Sequence, residues 1–286
     1  PAMIRVRQQF EAPEVDDIAG TVKAQIAGLS LQGKVKAGDS VAITVGSRGI
    51  NEIALITKSI VEAVKQLGGE PFVVPAMGSH GGGTAEGQRH IVESYGCTED
   101  YIGCPIRSTM EVVQVGTVEG EVPVYFDKYA AEADHVVVAG RIKPHTGFVG
   151  EIESGLHKMM LIGLGKHKGA ALYHQAIVQY SFDRIIRAVA GEVIDKCGIL
   201  FGLAIVENQY DHTAMIEAVS PDQFAEREKE LLVLAKKWMP RLPFDQVDLL
   251  IIDAIGKNIS GSGLDTNVVG RKFYEHCAAE KEVPKV

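Results

Sequence analysis

Five short runs of apolar, largely β-branched residues recur along the chain with helical patterns between several of them, and this alternation constrains the fold more than any other feature. The runs are Ser40 to Val45, Pro71 to Ala76, His135 to Ala139, Ile199 to Val206 and Val247 to Asp253. They read as buried strands. Between the first two, Ile53, Ile56, Ile60, Val61, Val64 and Leu67 fall at helical spacing, and Gly68-Gly69 supplies a stop. That is a βαβ unit. Further helices are predicted from Thr84 to Tyr95, ending at Gly96, and from about Ala170 to Val193. The predicted class is α/β: a mostly parallel sheet with helices on both faces, followed by the start of a second α/β domain.

The boundary follows from helix punctuation. Ser220 as N-cap, Pro221 at the first helical position and Gln223 completing a capping box predict a helix that stops before Pro240. Its stripe of Phe224, Leu231, Leu234, Ala235 and Trp238 is read as core packing. Two prolines in PRLPFDQ interrupt any continuation, so residues 1–240 are expected to form one domain and 241–286 the start of a second. That second domain is expected to be incomplete, since GRKFYEHCAAEKEVPKV offers no cap or terminal strand. Pro1-Ala2 is read as preceding a native start at Met3.

Composition removes several classes of function. A formal charge of −8 provides no basic footprint for nucleic acid. No apolar run reaches the roughly 18 residues of a membrane span. Cys97, Cys104, Cys197 and Cys277 form neither a C-x-x-C pair nor a zinc spacing, so a reducing, cytoplasmic setting is expected.

Ligands in open α/β sheets bind at the carboxyl ends of strands, and here those ends are polar and glycine-rich. The first strand leads into Gly46-Ser47-Arg48-Gly49, the second into Gly78-Ser79-His80 and three glycines, and the third into Arg141-Ile142-Lys143-Pro144-His145. The fourth leads into Glu207-Asn208-Gln209-Tyr210 and the fifth into Gly256-Lys257-Asn258. Five loops are expected to share one rim. GSHGGGT lets backbone approach a ligand ahead of a helix N-terminus; read alone, it is equally a flexible turn with a solvated His80. From Gly140 to His174 the chain carries His145, His157, His167 and His174 with Lys143, Lys158, Lys166 and Lys168. In an acidic protein this is a local positive field suited to an anionic ligand.

Together, the glycine-serine-histidine loop, Pro144-His145, the lysine in a glycine-rich turn and a histidine one helix later resemble the nickel-dependent lactate racemases. The resemblance runs roughly from Arg5 to Asn267. It implies an isomerase acting on 2-hydroxy carboxylates by hydride transfer to and from a nickel-pincer nucleotide, the pyridinium-3-thioamide-5-thiocarboxylic acid mononucleotide carrying nickel. Carried over by motif, Lys158 is the covalent tether and His174, sixteen residues later, the nickel ligand. His80 and His145 are the proton-transfer pair, one for each face of the substrate. Gly78, Ser79 and Arg48 contact cofactor or substrate, and residues 1–240 are the cofactor-binding domain. The implied partners are a small 2-hydroxy acid and the enzymes that make the cofactor; the oligomeric state stays open.

The residue types suit these tasks: neutral imidazole ligates nickel, histidine moves protons near neutral pH, and a deprotonated amine forms covalent links. The chain departs from the family at GSRGI, where an acidic Arg-Pro motif is usual, in a slightly longer stretch between His145 and Lys158, and at Val268-Val269-Gly270-Arg271. A substrate other than lactate alone is therefore expected, and Tyr210, Lys257 and Arg271 are read either as structural or solvent-exposed residues or as candidates for selecting it. Two alternatives stay open. One is a lyase or hydrolase in which His80, His145 and His174 bind metal directly, within about 2.0 to 2.1 Å; the other is a non-catalytic mononucleotide-binding protein.

Overall fold

A computed structural model of the chain describes residues 3–147, 149–256, 259–260 and 263–270. In chain order the elements are α1 (Ile18–Gly28), β1 (Ser40–Val45), α2 (Ile53–Gln66), β2 (Glu70–Pro75), α3 (Ala85–Ser94) and α4 (Glu99–Ile102). A hairpin of β3 (Val112–Val118) and β4 (Val122–Asp127) follows, then α5 (Lys128–Ala131), β5 (His135–Arg141) and α6 (Leu156–Lys158). A π-helical turn spans Met159–Gly163. Next come α7 (Lys166–Tyr180), α8 (Phe182–Lys196), β6 (Ile199–Glu207), β7 (Thr213–Val219), α9 (Phe224–Lys237) and the short α10 (Thr266–Val269).

The main sheet has the order β2-β1-β5-β6-β7. Its first four strands are parallel, with Val41 opposite both Pro71 and His135, and Val136 opposite Ile199. β7 closes one edge antiparallel to β6, Leu203 facing Ala218. Because side chains alternate across a strand, each parallel strand feeds two cores. Ala42, Val136, Val138, Ala204 and Val206 pack beneath α7, α8, α9 and the hairpin. Val41, Ile43, Val137, Leu203 and Ile205 pack beneath α1, α2 and α3. Both faces are covered, so these strands read as continuous apolar runs.

Three sequence expectations are corrected. Val247–Asp253 forms no strand: it has no ladder partner among the described residues, and Leu249 and Ile251 are 77% and 81% exposed. The long helix expected from Ala170 to Val193 is two, broken at Ser181, whose φ of 74° leaves the helical region. Each helix buries its own face, at Tyr173, Ala176 and Ile177 and at Ile185, Ile186 and Val189. At Ser220 no side-chain cap forms; Pro221–Gln223 make a 3₁₀ turn that delivers α9. The stripe of α9 packs as expected, with Phe224, Leu231 and Ala235 buried and Leu234 and Trp238 against them. Lys257, Asn258, Arg271 and Cys277 lie outside the described residues.

Candidate active site

The chain passes from β1 outward to β2 on one side and returns to β5 on the other, so the strand order reverses between β1 and β5. Loops leaving adjacent parallel strands in opposite directions open a crevice at their carboxyl ends. A cavity of about 330 Å³ lies there, within the size range of small-ligand sites. Its walls include Ser47 and Arg48 after β1, Ser79 and His80 after β2, Arg141, Lys143 and His145 from β5 and its loop, and Lys158 and His174 from α6 and α7. Phe182, Ile177 and Met159 supply apolar lining.

The His80 loop is shaped by backbone. Gly81 has φ of 65°, and a Cβ there would meet the Gln88 amide nitrogen at 2.7 Å, so only glycine fits. Gln88, fully buried on α3, donates to the carbonyls of Gly78 at 2.9 Å and His80 at 3.2 Å. Its own oxygen accepts from Lys166 at 3.1 Å. Ser47 Oγ hydrogen-bonds His80 Nδ1, and the Ser47 carbonyl accepts from the Tyr95 hydroxyl at 2.7 Å.

The His145 loop is held from the other side. Lys143 and Ser154 exchange backbone hydrogen bonds at 3.0 and 3.2 Å, closing the loop between them. The His145 amide donates to Glu153 at 2.7 Å, and Glu153, buried, also accepts from Lys236 of α9 at 2.6 Å. Arg141 pairs with Glu207, whose second oxygen accepts from the Asn51 amide at 2.7 Å. Glu207 thereby ties the start of α2 to the rim.

Lys158 ends α6, one residue after His157, which bonds Glu228 of α9 through both its amide, at 3.0 Å, and its Nδ1. Both partners of that pair are buried. Gly155 opens the segment because a Cβ there would strike Glu228 Oε1, at 1.8 Å. Enclosure is the main cause that pushes the Lys158 amine down to about 7, and the positive charges of Lys143 and Arg48 add to it. Desolvation and the Lys158 charge likewise lower His174, and desolvation with Arg141 and Arg48 lowers Lys143, against the opposing pull of Asp265 and Glu207. The α-to-π change immediately after Lys158 is a helix irregularity often found at functional sites.

Of the residues expected from sequence, His80, His145, Lys158, His174, Arg48 and Ser79 all border this one cavity. Gly78 sits just behind the wall, its amide donating to Gly163 at 3.3 Å. Ser47, Arg141 and Lys143 join them; Arg141 ends β5, and Ser47 and Lys143 stand just after strands, which was the available signal. Glu207 stands at the end of β6, where a rim loop was expected, whereas Glu153 and Glu228 reach the site across the fold and carry no local motif.

Lys166 departs from the positive field for an anionic ligand expected of the stretch from Gly140 to His174. It is fully buried, bonding the Pro75 carbonyl and facing Asp127 at 3.1 Å. Burial pushes Asp127 up and Lys166 down while their mutual attraction opposes both. Lys168 lies over the Tyr125 ring at 4.2 Å. Tyr210 lies away from the cavity, its hydroxyl accepting from the Phe10 amide at 3.3 Å. Among the described residues, no three His, Cys, Asp or Glu side chains gather as a ready metal cluster, and no helix is long and apolar enough to cross a membrane. The buried thiols Cys104 and Cys197 are pushed up to about 11 and about 12 by desolvation, which leaves them unreactive.

Comparison with known proteins agrees with this architecture. The family model described as the lactate racemase N-terminal domain matches residues 3–183. No curated protein matches significantly. A crystal structure of a Thermotoga maritima protein, a Northeast Structural Genomics Consortium target, superposes with a TM-score of 0.60 at 15% identity, over 80% of this chain and 60% of that one. The lactate racemase apoprotein from Thermoanaerobacterium thermosaccharolyticum superposes with a TM-score of 0.54 at 15% identity, over 77% of this chain and 56% of that one. The chain thus spans less than two thirds of either protein. With the model covering more than half of its length, the chain belongs to the lactate racemase N-terminal domain family.

Proposed function

We propose that the protein is a racemase or epimerase of a 2-hydroxy carboxylate whose cavity takes a nickel-pincer nucleotide. The observation that carries this reading is the convergence of Lys158, His174, His80 and His145 on one cavity at the sheet's switch point, in a chain of this family. The donor set fits the group. A lysine amine held down to about 7 is uncharged in a large fraction at neutral pH and able to form a covalent link. A histidine kept neutral by its surroundings suits nickel. Arg48 and Lys143 provide positive charge for a phosphate or carboxylate.

Lys158 would hold the cofactor's arm and His174 its metal. When bound, such a group supplies reversible acceptance of a hydrogen with its electron pair. The chain's own residues do the rest. His80 and His145 manage the hydroxyl proton from two different loops, while Arg48 and Lys143 fix the carboxylate. Ile177, Met159 and Phe182 exclude water around the reacting carbon. The departures at GSRGI and Val268-Val269-Gly270-Arg271 favour a substrate other than lactate alone, in a cytosolic setting where the buried thiols stay reduced.

The test is chiral analysis of single-enantiomer 2-hydroxy acids incubated in deuterated water with protein produced alongside the cofactor's biosynthetic enzymes. Inversion that retains the original C2 hydrogen is the expected result. Solvent deuterium at C2, or a bound mononucleotide without inversion of any acid, would overturn the proposal.

A further inference from the structure

Lys166 is a fully buried cation outside the cavity: neither it nor its buried partners Gln88 and Asp127 line the walls. An ammonium carries three protons, and three oxygens surround this one: the Pro75 carbonyl, Gln88 Oε1 at 3.1 Å and Asp127 Oδ2 at 3.1 Å. They come from three separate parts of the chain, the end of β2, α3 and the β3–β4 hairpin. The lysine itself opens α7 with φ of 55°, a left-handed conformation that sterics disfavour for any residue with a side chain.

This arrangement reaches the site in two ways. One is the direction of Gln88. An ammonium only donates and a carbonyl only accepts, so Lys166 takes the amide oxygen and leaves the nitrogen for the carbonyls of Gly78 and His80, at 2.9 and 3.2 Å. Without the ammonium, the Pro75 carbonyl and Asp127 would compete for that nitrogen, and the His80 loop would lose its donor.

The other is backbone contact. The Gly78 amide donates to the Gly163 carbonyl at 3.3 Å, and a Cβ on Gly163 would meet the Ala76 carbonyl oxygen at 2.9 Å. A Cβ on Gly78 would lie 3.5 Å from Cβ of Ala170 on α7. The loop carrying His80 therefore rests directly on the turn that opens α7, and Lys166 bolts one to the other. His174 follows on the same helix, 174 − 166 = 8 residues later, about 12 Å along its axis.

We infer that Lys166 is a positioning residue for the cavity: with Gln88 and Asp127 it fixes the His80 loop against the helix of His174, and so sets how the His80 ring is presented. The inference rests on reading the cavity as a 2-hydroxy-acid site in which both loop histidines move protons, and it leaves both of those roles in place.

Ring ¹H–¹⁵N spectra of the labelled protein without cofactor test it, with two variants that break the link by different routes. Gln88→Met removes the amide and keeps the Lys166–Asp127 pair. Lys166→Met combined with Asp127→Asn removes both charges together, so that no buried carboxylate is left unpaired, and asparagine keeps an oxygen for the Ala130 amide that Asp127 accepts from at 2.9 Å. Each should shift the ring signals of His80 and leave in place those of His145, whose loop is held by Glu153. In cofactor-loaded protein each should lower kcat about 10- to 10²-fold, with KM and nickel content near those of the unaltered chain. Combining all three substitutions should lose no more than the worse of the two variants, because both act on one link. Unmoved His80 signals in folded Gln88→Met would overturn the inference. So would equal shifts at His80 and His145, which mark general loosening, or losses that multiply on combination. If the charge-free variant does not fold, Gln88→Met decides alone. Loaded unaltered protein that inverts no 2-hydroxy acid removes the functional reading, whereas the ring signals still decide whether Lys166 and Gln88 hold the His80 loop.

Discussion

On the helical wall of the cavity, Lys158 and His174 take their character from desolvation and from neighbouring positive charge. On the loop rim, the rings of His80 and His145 are oriented by hydrogen bonds to Ser47 and Gly147. The wall stands on helices braced by α9 through the buried His157–Glu228 pair. The rim stands on loops pinned by Gln88 and Glu153. Each side suits its task. The proposed tether and metal ligand need a stable neutral base, which low polarity provides, while the proposed proton carriers need oriented rings, which the bonds to Ser47 and Gly147 provide.

Breaking the wall should have the largest effect. His174→Ala should lower nickel retention about 10²-fold or more, with turnover falling to background, read by metal analysis after gel filtration of loaded protein. Full nickel content in that variant would move the ligand role elsewhere. Breaking the rim should act on rate alone. His80→Ala should cut turnover about 10² to 10⁴ with nickel content unchanged; loss of nickel along with rate would show that wall and rim are not separable.

The brace should contribute stability before chemistry. Glu228→Ala leaves His157 unpaired in the core and should cost about 3 to 5 kcal/mol in urea unfolding, whereas truncating an exposed ion pair such as Lys23–Glu62 should cost under about 1 kcal/mol.

The smallest effect sharpens the electrostatic account. Amine acylation at Lys158, followed by peptide mapping across pH, should reach half its limiting rate near pH 7, far below an ordinary lysine. Lys143→Met removes a positive neighbour, so the Lys158 midpoint should move upward. A downward or absent movement would assign the shift to enclosure alone. The same difference has a sign for folding. Lys158 binds its proton less tightly folded than unfolded, so it adds stability as pH rises from about 7 toward 10.

The wall and rim were not equally legible in the sequence. β1, β2, β5 and β6 are apolar because both their faces are buried, and such runs are visible without any contact information. The glycine loops and histidines after them marked the cavity. The hairpin went unread although Val122, Val124 and Phe126 are buried at period two and Gly120 turns at φ of 78°. Without Asp127 on that hairpin, Lys166 had no visible partner in the sequence. β7 is an antiparallel edge recognised by pairing with β6 rather than by its own composition. Glu153 and Glu228 reach their partners through the tertiary fold, so nothing local announces them. Val247 to Asp253 shows the reverse failure, a strand pattern with no neighbour among the described residues to complete it.

The central claim is that Lys158 and His174 together hold the cofactor on the helical wall. Peptide mapping and nickel analysis of protein co-produced with the cofactor's biosynthetic enzymes measure this directly. The account predicts an added mass on the peptide containing Lys158, about one nickel per chain, and loss of both in Lys158→Ala. An adduct on Lys166 or Lys168, or active protein that carries nickel with no adduct, would contradict it.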